Sequence, residues 1–224
     1  VSAKNIGRKR KIRINKKQWL DSYLDATKKK DVDLIIELIG GAEGPAKKLV
    51  FNALKNKKHV VTANKALIAK YGDQLSKIAE KNKVNLEFEA SVCGGVPIIR
   101  SLKEGLIANK ISKIYKIFNG TSNYILSSMD KENKSFEEVL SNAKILGYAE
   151  SNPSSDLNGS DVSSKLKILC SLCFNSYLNN NIYVEGINDI DKTDIDNANK
   201  LGYKIKLLGF AELINNKIYQ RVHP

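Results

Sequence analysis

The feature that most constrains this chain is a run of branched apolar residues closed by glycines, Asp31-Val-Asp-Leu-Ile-Ile-Glu-Leu-Ile-Gly40-Gly41, with a second apolar run, His59-Val-Val-Thr-Ala63, soon after it. Short continuous apolar runs of this kind read as strands buried on both faces of a parallel sheet. Pro45 suits the first turn of a helix. That helix, running to about Asn56, links the two runs, so strand, helix and strand alternate over short connections. A second helix is expected over Ala66–Lys83 and a third strand over Asn85–Val92, ending in the small-residue turn Cys93-Gly94-Gly95. This is the βαβ logic of an open α/β sheet.

Upstream, Val1–Asn5 reads as a short strand, Arg8–Lys17 as a basic loop and Gln18–Lys30 as a helix closed by three lysines. From Pro97 the pattern changes. Helices are expected over Ile98–Ala108, Phe136–Leu146, Ser160–Phe174 and Thr193–Leu201, strands over Ile111–Phe118 and Ile182–Ile187, and a closing hairpin over Lys204–Leu213 and Lys217–Val222. The expected division is therefore residues 1–96 and residues 97–224.

Composition excludes several classes. The longest apolar stretches, such as Leu169–Phe174, fall far short of the roughly 20 residues that cross a bilayer. The basic N-terminal segment leads into no apolar core of the secretory kind, so a cytoplasmic location is expected. Cys93, Cys170 and Cys173 cannot build a disulfide framework, and with His59 and His223 they complete no ordinary zinc site. Lys+Arg 37 against Asp+Glu 24 leaves 37 − 24 = +13, a balance that nucleic acid, an acidic membrane surface or a lysine-rich proteome would each explain. The chain starts with Val and stops at Arg221-Val-His-Pro224, which reads as a piece of a longer protein.

Ligands of open α/β sheets bind outside the carboxyl ends of the strands. The strand ends here are Gly40-Gly41, Thr62-Ala-Asn-Lys65 and Val92-Cys-Gly-Gly95, where glycine admits a close approach and lysine can meet a phosphate or a reacting oxygen. Plain helix punctuation explains any one of them equally well. A second constellation runs from Gly147-Tyr148-Ala-Glu150 through Asp156 and Asp161 to Lys165. Asp161 and Lys165 stand i,i+4 at a helix start, and on spacing alone a surface ion pair is the commoner reading. The apolar Leu166, Ile168, Leu169 and Leu172 beside Lys165 argue for a lysine near the core, poised among acids as a proton donor.

Four segments carry a resemblance: HVVTANKALIAKYG (residues 59–72), FEASVCGGVPIIRSLKEGL (88–106), NGTSNYIL (119–126) and LGYAESNPSSDLNGSDVSSKLKIL (146–169). The chain resembles homoserine dehydrogenase over nearly its whole length, most specifically in the last segment, which keeps the order and spacing of tyrosine, glutamate, two aspartates and lysine. The resemblance implies a Rossmann-like nucleotide-binding domain lacking its first strand and glycine-rich loop, then an α/β catalytic and dimerisation domain lacking its end. It implies NAD or NADP as cofactor, a homodimer in the full-length protein, and the interconversion of L-homoserine and L-aspartate 4-semialdehyde on the way to threonine and methionine.

Residue by residue, Lys165 matches the proton donor and acceptor at the substrate hydroxyl, and Lys65 a second catalytic lysine that also meets the nicotinamide. Glu150 and Asp161 match the carboxylates that hold the substrate ammonium, with Asp156, Tyr148 and Thr121 lining the same pocket. Gly40, Gly41, Thr62 and Lys4 are the cofactor-side candidates, and Lys4, with Lys9 and Arg10 behind it, points to a 2′-phosphate and hence NADP. Glu89, Val92, Gly94 and Val96 match positions whose backbone oxygens bind a monovalent cation, usually sodium. The rivals are a basic nucleic-acid-binding module using Arg8–Lys17 and Lys28–Lys30, which would lose affinity steeply with salt, and an inactive remnant of the enzyme.

Overall fold

The computed structural model describes residues 1–175 and 182–224, and the chain falls into two compact units, Val1–Ile98 and Ile99–Pro224. In the first, β1 (Leu34–Glu37), α1 (Pro45–Lys55), β2 (His59–Thr62), α2 (Lys65–Asn82) and β3 (Leu86–Glu87) follow one another, and the strands lie in the order β1-β2-β3. Helical crossovers make all the pairings parallel, with Leu34 opposite His59, Glu37 opposite Thr62 and Val60 opposite Leu86. Both crossovers step the same way along the sheet, so the right-handed rule puts α1 and α2 on one face. There Leu49, Val50, Leu54, Val60, Leu67 and Leu75 are buried, each worth roughly 1.5–3 kcal/mol relative to exposure.

That one-sided layering corrects the reading of β1 as buried on both faces. Ile35 and Glu37 are buried, while Leu34 and Ile36 on the opposite face are 47% and 63% exposed. Other expectations fail nearby. Val1–Asn5 is not a strand; the Val1 carbonyl accepts one hydrogen bond from the Leu20 N–H. Gln18–Lys30 is not a helix but is broken into single 3₁₀ turns, Lys16–Gln18 and Asp25–Thr27; Leu20, Tyr23, Leu24 and Thr27 keep helical spacing, yet only Thr27 of them is fully buried, and a short helix without a docked face is marginal. The strand expected over Asn85–Val92 stops at Glu87, where a 3₁₀ turn, Glu89–Ser91, takes over and the Ser91 hydroxyl donates to the Phe88 carbonyl.

The division falls within α3, Ile98–Arg100, which widens into a π turn over Ser101–Gly105 in place of the longer helix expected. Then come β4 (Lys113–Lys116), α4 (Gly120–Glu132), α5 (Phe136–Ile145), α6 (Ser154–Leu157), α7 (Ser160–Phe174), β5 (Tyr183–Val184), α8 (Lys192–Lys200), β6 (Leu208–Ile214) and β7 (Lys217–His223). The sheet order is β4-β6-β7-β5. The β6–β7 hairpin turns on Asn215 and Asn216, both with positive φ, as the favoured two-residue hairpin turn requires. Helix α7 packs on β6 and β7 and buries Leu166, Ile168 and Leu169. Gly209 on β6 leaves room for this layer, since a Cβ there would stand 2.7 Å from the Phe118 ring and 3.0 Å from Val162. The two short strands are trimmed versions of those expected, and α4 was not anticipated.

Candidate active site

Lys165 sits one turn into α7, and its environment follows from that helix and the β4–α4 turn. Its Nζ donates to Asp161 Oδ2 at 2.8 Å and to the Phe118 carbonyl at 2.9 Å. The Asp161 side chain is 2% exposed and that of Lys165 17%, so this is not the surface ion pair that spacing alone favoured. In such surroundings a charge pair is kept only if its other lone pairs and protons are satisfied.

Asn119 supplies that satisfaction. Its Oδ1 accepts from the Ser122 N–H at 2.7 Å, the N-cap bond that starts α4. Its Nδ2 donates at 2.7 Å to Asp156 Oδ1 and at 2.9 Å to Asp161 Oδ2. One buried amide therefore starts a helix with one end and ties two carboxylates together with the other. Sequence reading missed it because α4 itself was missed; an Asn directly before the run Gly120–Leu126 is the N-cap signal that could have found it.

The remaining pocket candidates gather around this core unevenly. The Thr121 hydroxyl donates to the Tyr148 carbonyl at 2.7 Å, and the Tyr148 ring stacks on Tyr124 with centroids 4.5 Å apart. Glu150, two residues on, is exposed to solvent, and no bond draws it into the Asn119 network. The thiols of the same helix are inert by environment. Burial first, and then the neighbouring Cys173, pushes Cys170 up to about 12, and burial raises Cys173 to about 11.

In the first unit the candidates sit at the carboxyl ends of β1 and β2. Gly40 and Gly41 have φ of +86° and +81°, and nothing lies within 4 Å of where a Gly40 Cβ would be, so the backbone there is open to a ligand. The Thr62 hydroxyl faces inward instead: it donates at 2.5 Å to Glu37 Oε2, in a carboxylate with no exposed surface. Lys65 is the first residue of α2, half-buried, and Lys4 is exposed. Beyond the glycines, exposed Glu43 meets Lys70, Tyr71 and Lys47, whose hydrogen bonds hold its carboxyl down at about 2, that of Lys70 most of all. Arg10, a nucleic-acid candidate, stacks 4.9 Å over Trp19 and donates to the carbonyls of Asn5, Ile6 and Arg8, so its guanidinium folds its own loop.

The cation candidates occupy one loop. Glu89 begins the 3₁₀ turn, Val92 is buried, and Gly94 and Val96 are exposed beyond it. The Glu89 and Val96 carbonyls each accept one backbone N–H, from Val92 and Ile98. Among the described residues no group of three or more His, Cys, Asp or Glu could hold a metal ion, and no helix is long and apolar enough to cross a membrane.

Two units of this kind, one with parallel strands and open glycine ends and one with an acid–lysine pair on a helix packed against a mixed sheet, define a nucleotide-binding and catalytic α/β protein. Comparison agrees: residues 2–89 match the family described as "Homoserine dehydrogenase, NAD binding domain" and residues 97–224 that described as "Homoserine dehydrogenase". The chain belongs to the homoserine dehydrogenase family. It is 48% identical over 197 residues to the homoserine dehydrogenase of Neisseria gonorrhoeae, covering 88% of this chain and 45% of that one. It matches the crystal structure of a homoserine dehydrogenase from Thiobacillus denitrificans with TM-score 0.88 and 45% identity, covering 92% of this chain and 48% of that one. A hyperthermophilic archaeal homoserine dehydrogenase in complex with NADPH matches with TM-score 0.76 and 27% identity, over 90% of this chain and 59% of that one. The chain thus spans about half the length of the relatives it matches.

Proposed function

We propose that the protein carrying this chain is a homoserine dehydrogenase, interconverting L-homoserine and L-aspartate 4-semialdehyde. The observation that carries this reading is the Asp156–Asn119–Asp161–Lys165 cluster, which joins Asn119 of segment 119–126 to three residues of segment 146–169, the most specific of the matching motifs. Lys165 holds a proton 2.8 Å from Asp161 and delivers it to the substrate oxygen as negative charge develops there, or removes it in the reverse direction. Asp161 and Asp156, with Glu150, offer carboxylate oxygens to the substrate ammonium, through charge-assisted hydrogen bonds. Tyr148 and Thr121 line the same pocket, and Lys65 serves as the second lysine. An acidic pocket of this kind suits an ammonium-bearing amino acid and repels nucleic acid.

A nicotinamide cofactor, when bound, supplies or accepts the hydride. Gly40, Gly41 and Thr62 at the strand ends would hold it with Lys65, and the open glycine backbone fits a ligand laid against it. For NADP rather than NAD the support is the exposed Lys4 and the archaeal relative that holds NADPH. For a monovalent cation, sodium by preference, it is the single loop that carries Glu89, Val92, Gly94 and Val96, since carbonyl oxygens suit a hard ion. A homodimer is favoured by one face of the second sheet, where Tyr115, Phe210, Arg221 and Tyr183 stand opposite one another in register and Tyr115 and Tyr183 are 71% and 62% exposed. A cytoplasmic location agrees with three cysteines whose spacing builds no disulfide framework. The proposed units are residues 1–96 for the cofactor and 97–224 for the substrate.

The test is homoserine oxidation by the full-length protein, followed as NADH or NADPH absorbance. Lys165→Ala is expected to lower turnover by about 10²–10⁴-fold while homoserine still binds, the range for loss of a positioned proton-transfer group. Turnover near the unmodified rate would remove Lys165 from that role.

A further inference from the structure

Glu37 has no exposed surface, and no step of the proposed chemistry uses it. Its Oε1 accepts from the Ile39 N–H at 2.6 Å and the Gly40 N–H at 2.9 Å, and its Oε2 from the Thr62 hydroxyl at 2.5 Å. The Thr62 oxygen in turn accepts from the Asn64 N–H at 3.0 Å. Asn64 completes the circuit: its Nδ2 donates at 2.8 Å to the Gly41 carbonyl, and its Oδ1 caps α2 by accepting from the Leu67 N–H at 3.0 Å. The chain of bonds therefore runs from Gly40 through Glu37, Thr62 and Asn64 back to Gly41. It closes a ring that binds the end of β1 to the end of β2.

Two properties of this ring decide what it does. Gly40 and Gly41 both have positive φ, so the turn they form has wide conformational freedom unless something outside it fixes it. The ring fixes it from both sides, through the N–H of one glycine and the carbonyl of the other. In addition, a buried carboxylate is costly unless its oxygens are satisfied, so its place here depends on the donors that surround it. A carboxylate is nevertheless the side chain that can accept two convergent backbone N–H groups and a hydroxyl at once.

We propose that Glu37 is the positioning residue of the cofactor site: it fixes the Gly40-Gly41 turn and the Thr62–Lys65 strand end in the geometry that receives the nicotinamide cofactor. The proposal rests on the dehydrogenase reading, and it goes beyond it by assigning the preorganisation of the cofactor side to one buried acid that does not itself touch the cofactor. It also reassigns Thr62, whose hydroxyl serves the ring and leaves its backbone for the ligand.

The experiment uses the full-length protein with Glu37→Gln, Thr62→Val and the double variant, each checked for folding by circular dichroism and thermal melting. NADPH and NADH are titrated by fluorescence, and steady-state kinetics give KM for homoserine at saturating cofactor. Glu37→Gln keeps the volume but turns one acceptor into a donor facing Thr62. It is expected to weaken dinucleotide binding about tenfold while KM for homoserine and the pH profile of turnover stay within twofold. Thr62→Val should do the same, and the double variant little more than either alone, since both break one ring. A lower melting temperature with unchanged dinucleotide affinity in both single variants would overturn the positioning role and leave the dehydrogenase reading standing. Equal loss of affinity for cofactor and homoserine would overturn it too, as general loosening. Failure of the unmodified protein to bind either dinucleotide would instead overturn the dehydrogenase reading and this proposal with it.

Discussion

Asp161 and Glu37 are both carboxylates withdrawn from water, one in each unit, and they are satisfied in different ways. Asp161 shares one oxygen between a lysine and a side-chain amide. Glu37 is met by two backbone N–H groups and a hydroxyl, none of them charged. The first arrangement keeps a mobile proton beside an acid and leaves the lysine partly open, which suits a group that must exchange a proton with a substrate. The second spreads a charge over groups the main chain cannot move, which suits a group that must hold a shape. The partners of a buried acid, more than its burial, thus distinguish chemistry from scaffolding.

Removing Glu37 should break this comparison most severely. Glu37→Leu leaves three donors without acceptors in a dry site, at about 1–3 kcal/mol each, so a loss on the order of 5 kcal/mol is expected in urea unfolding of the full-length protein. A loss below about 1 kcal/mol would mean that water or a rearranged turn replaces the carboxylate. On the other side, Asn119→Ala removes a helix cap and the amide between two acids, for about 2–3 kcal/mol. Asn119→Ser keeps a capping oxygen and should recover about 1 kcal/mol of that, while homoserine KM stays raised in both variants. If serine restored KM as well, the cap alone would be what matters.

The finest test concerns how dry α7 is. Its two thiols titrate higher when folded than the usual value of 9.0, so the thiol form is favoured by folding. Their contribution to stability is complete below about pH 9 and is lost as pH climbs toward 11–12, because the unfolded chain ionises first. Chemical unfolding from pH 8 to 10.5 should show stability falling with pH, and Cys170→Ala should flatten the slope. An unchanged slope would place that thiol in contact with water.

What the sequence made legible were features that repeat or that announce themselves chemically. The strand–helix alternation to Glu87 and the whole of α7 could be read because apolar periodicity runs through them, and Asp161 and Lys165 because their spacing puts them on one helix face. The N-terminal elements were misread because Leu20, Tyr23, Leu24 and Thr27 keep helical spacing that tertiary contacts override; Trp19, in the expected helix, is covered by Arg10 from the basic loop. The tie from Asn119 to the acids and the role of Glu37 were invisible for another reason. Each works through contacts to residues 42 and 25 positions away, which no local pattern encodes.

Asn119 is followed by Gly120, and that pair is the one in which a flexible chain most readily loses ammonia, as the glycine nitrogen attacks the side-chain amide carbon and a succinimide opens to aspartate. Here the glycine is locked as the first residue of α4, and the amide is held at both ends by Ser122, Asp156 and Asp161. The ring closure that would age the residue needs a rotation that breaks all three contacts. The fold that arranges the acids therefore also protects the pocket from slow chemical decay into a further carboxylate, so its shelf life is tied to how firmly α4 is capped.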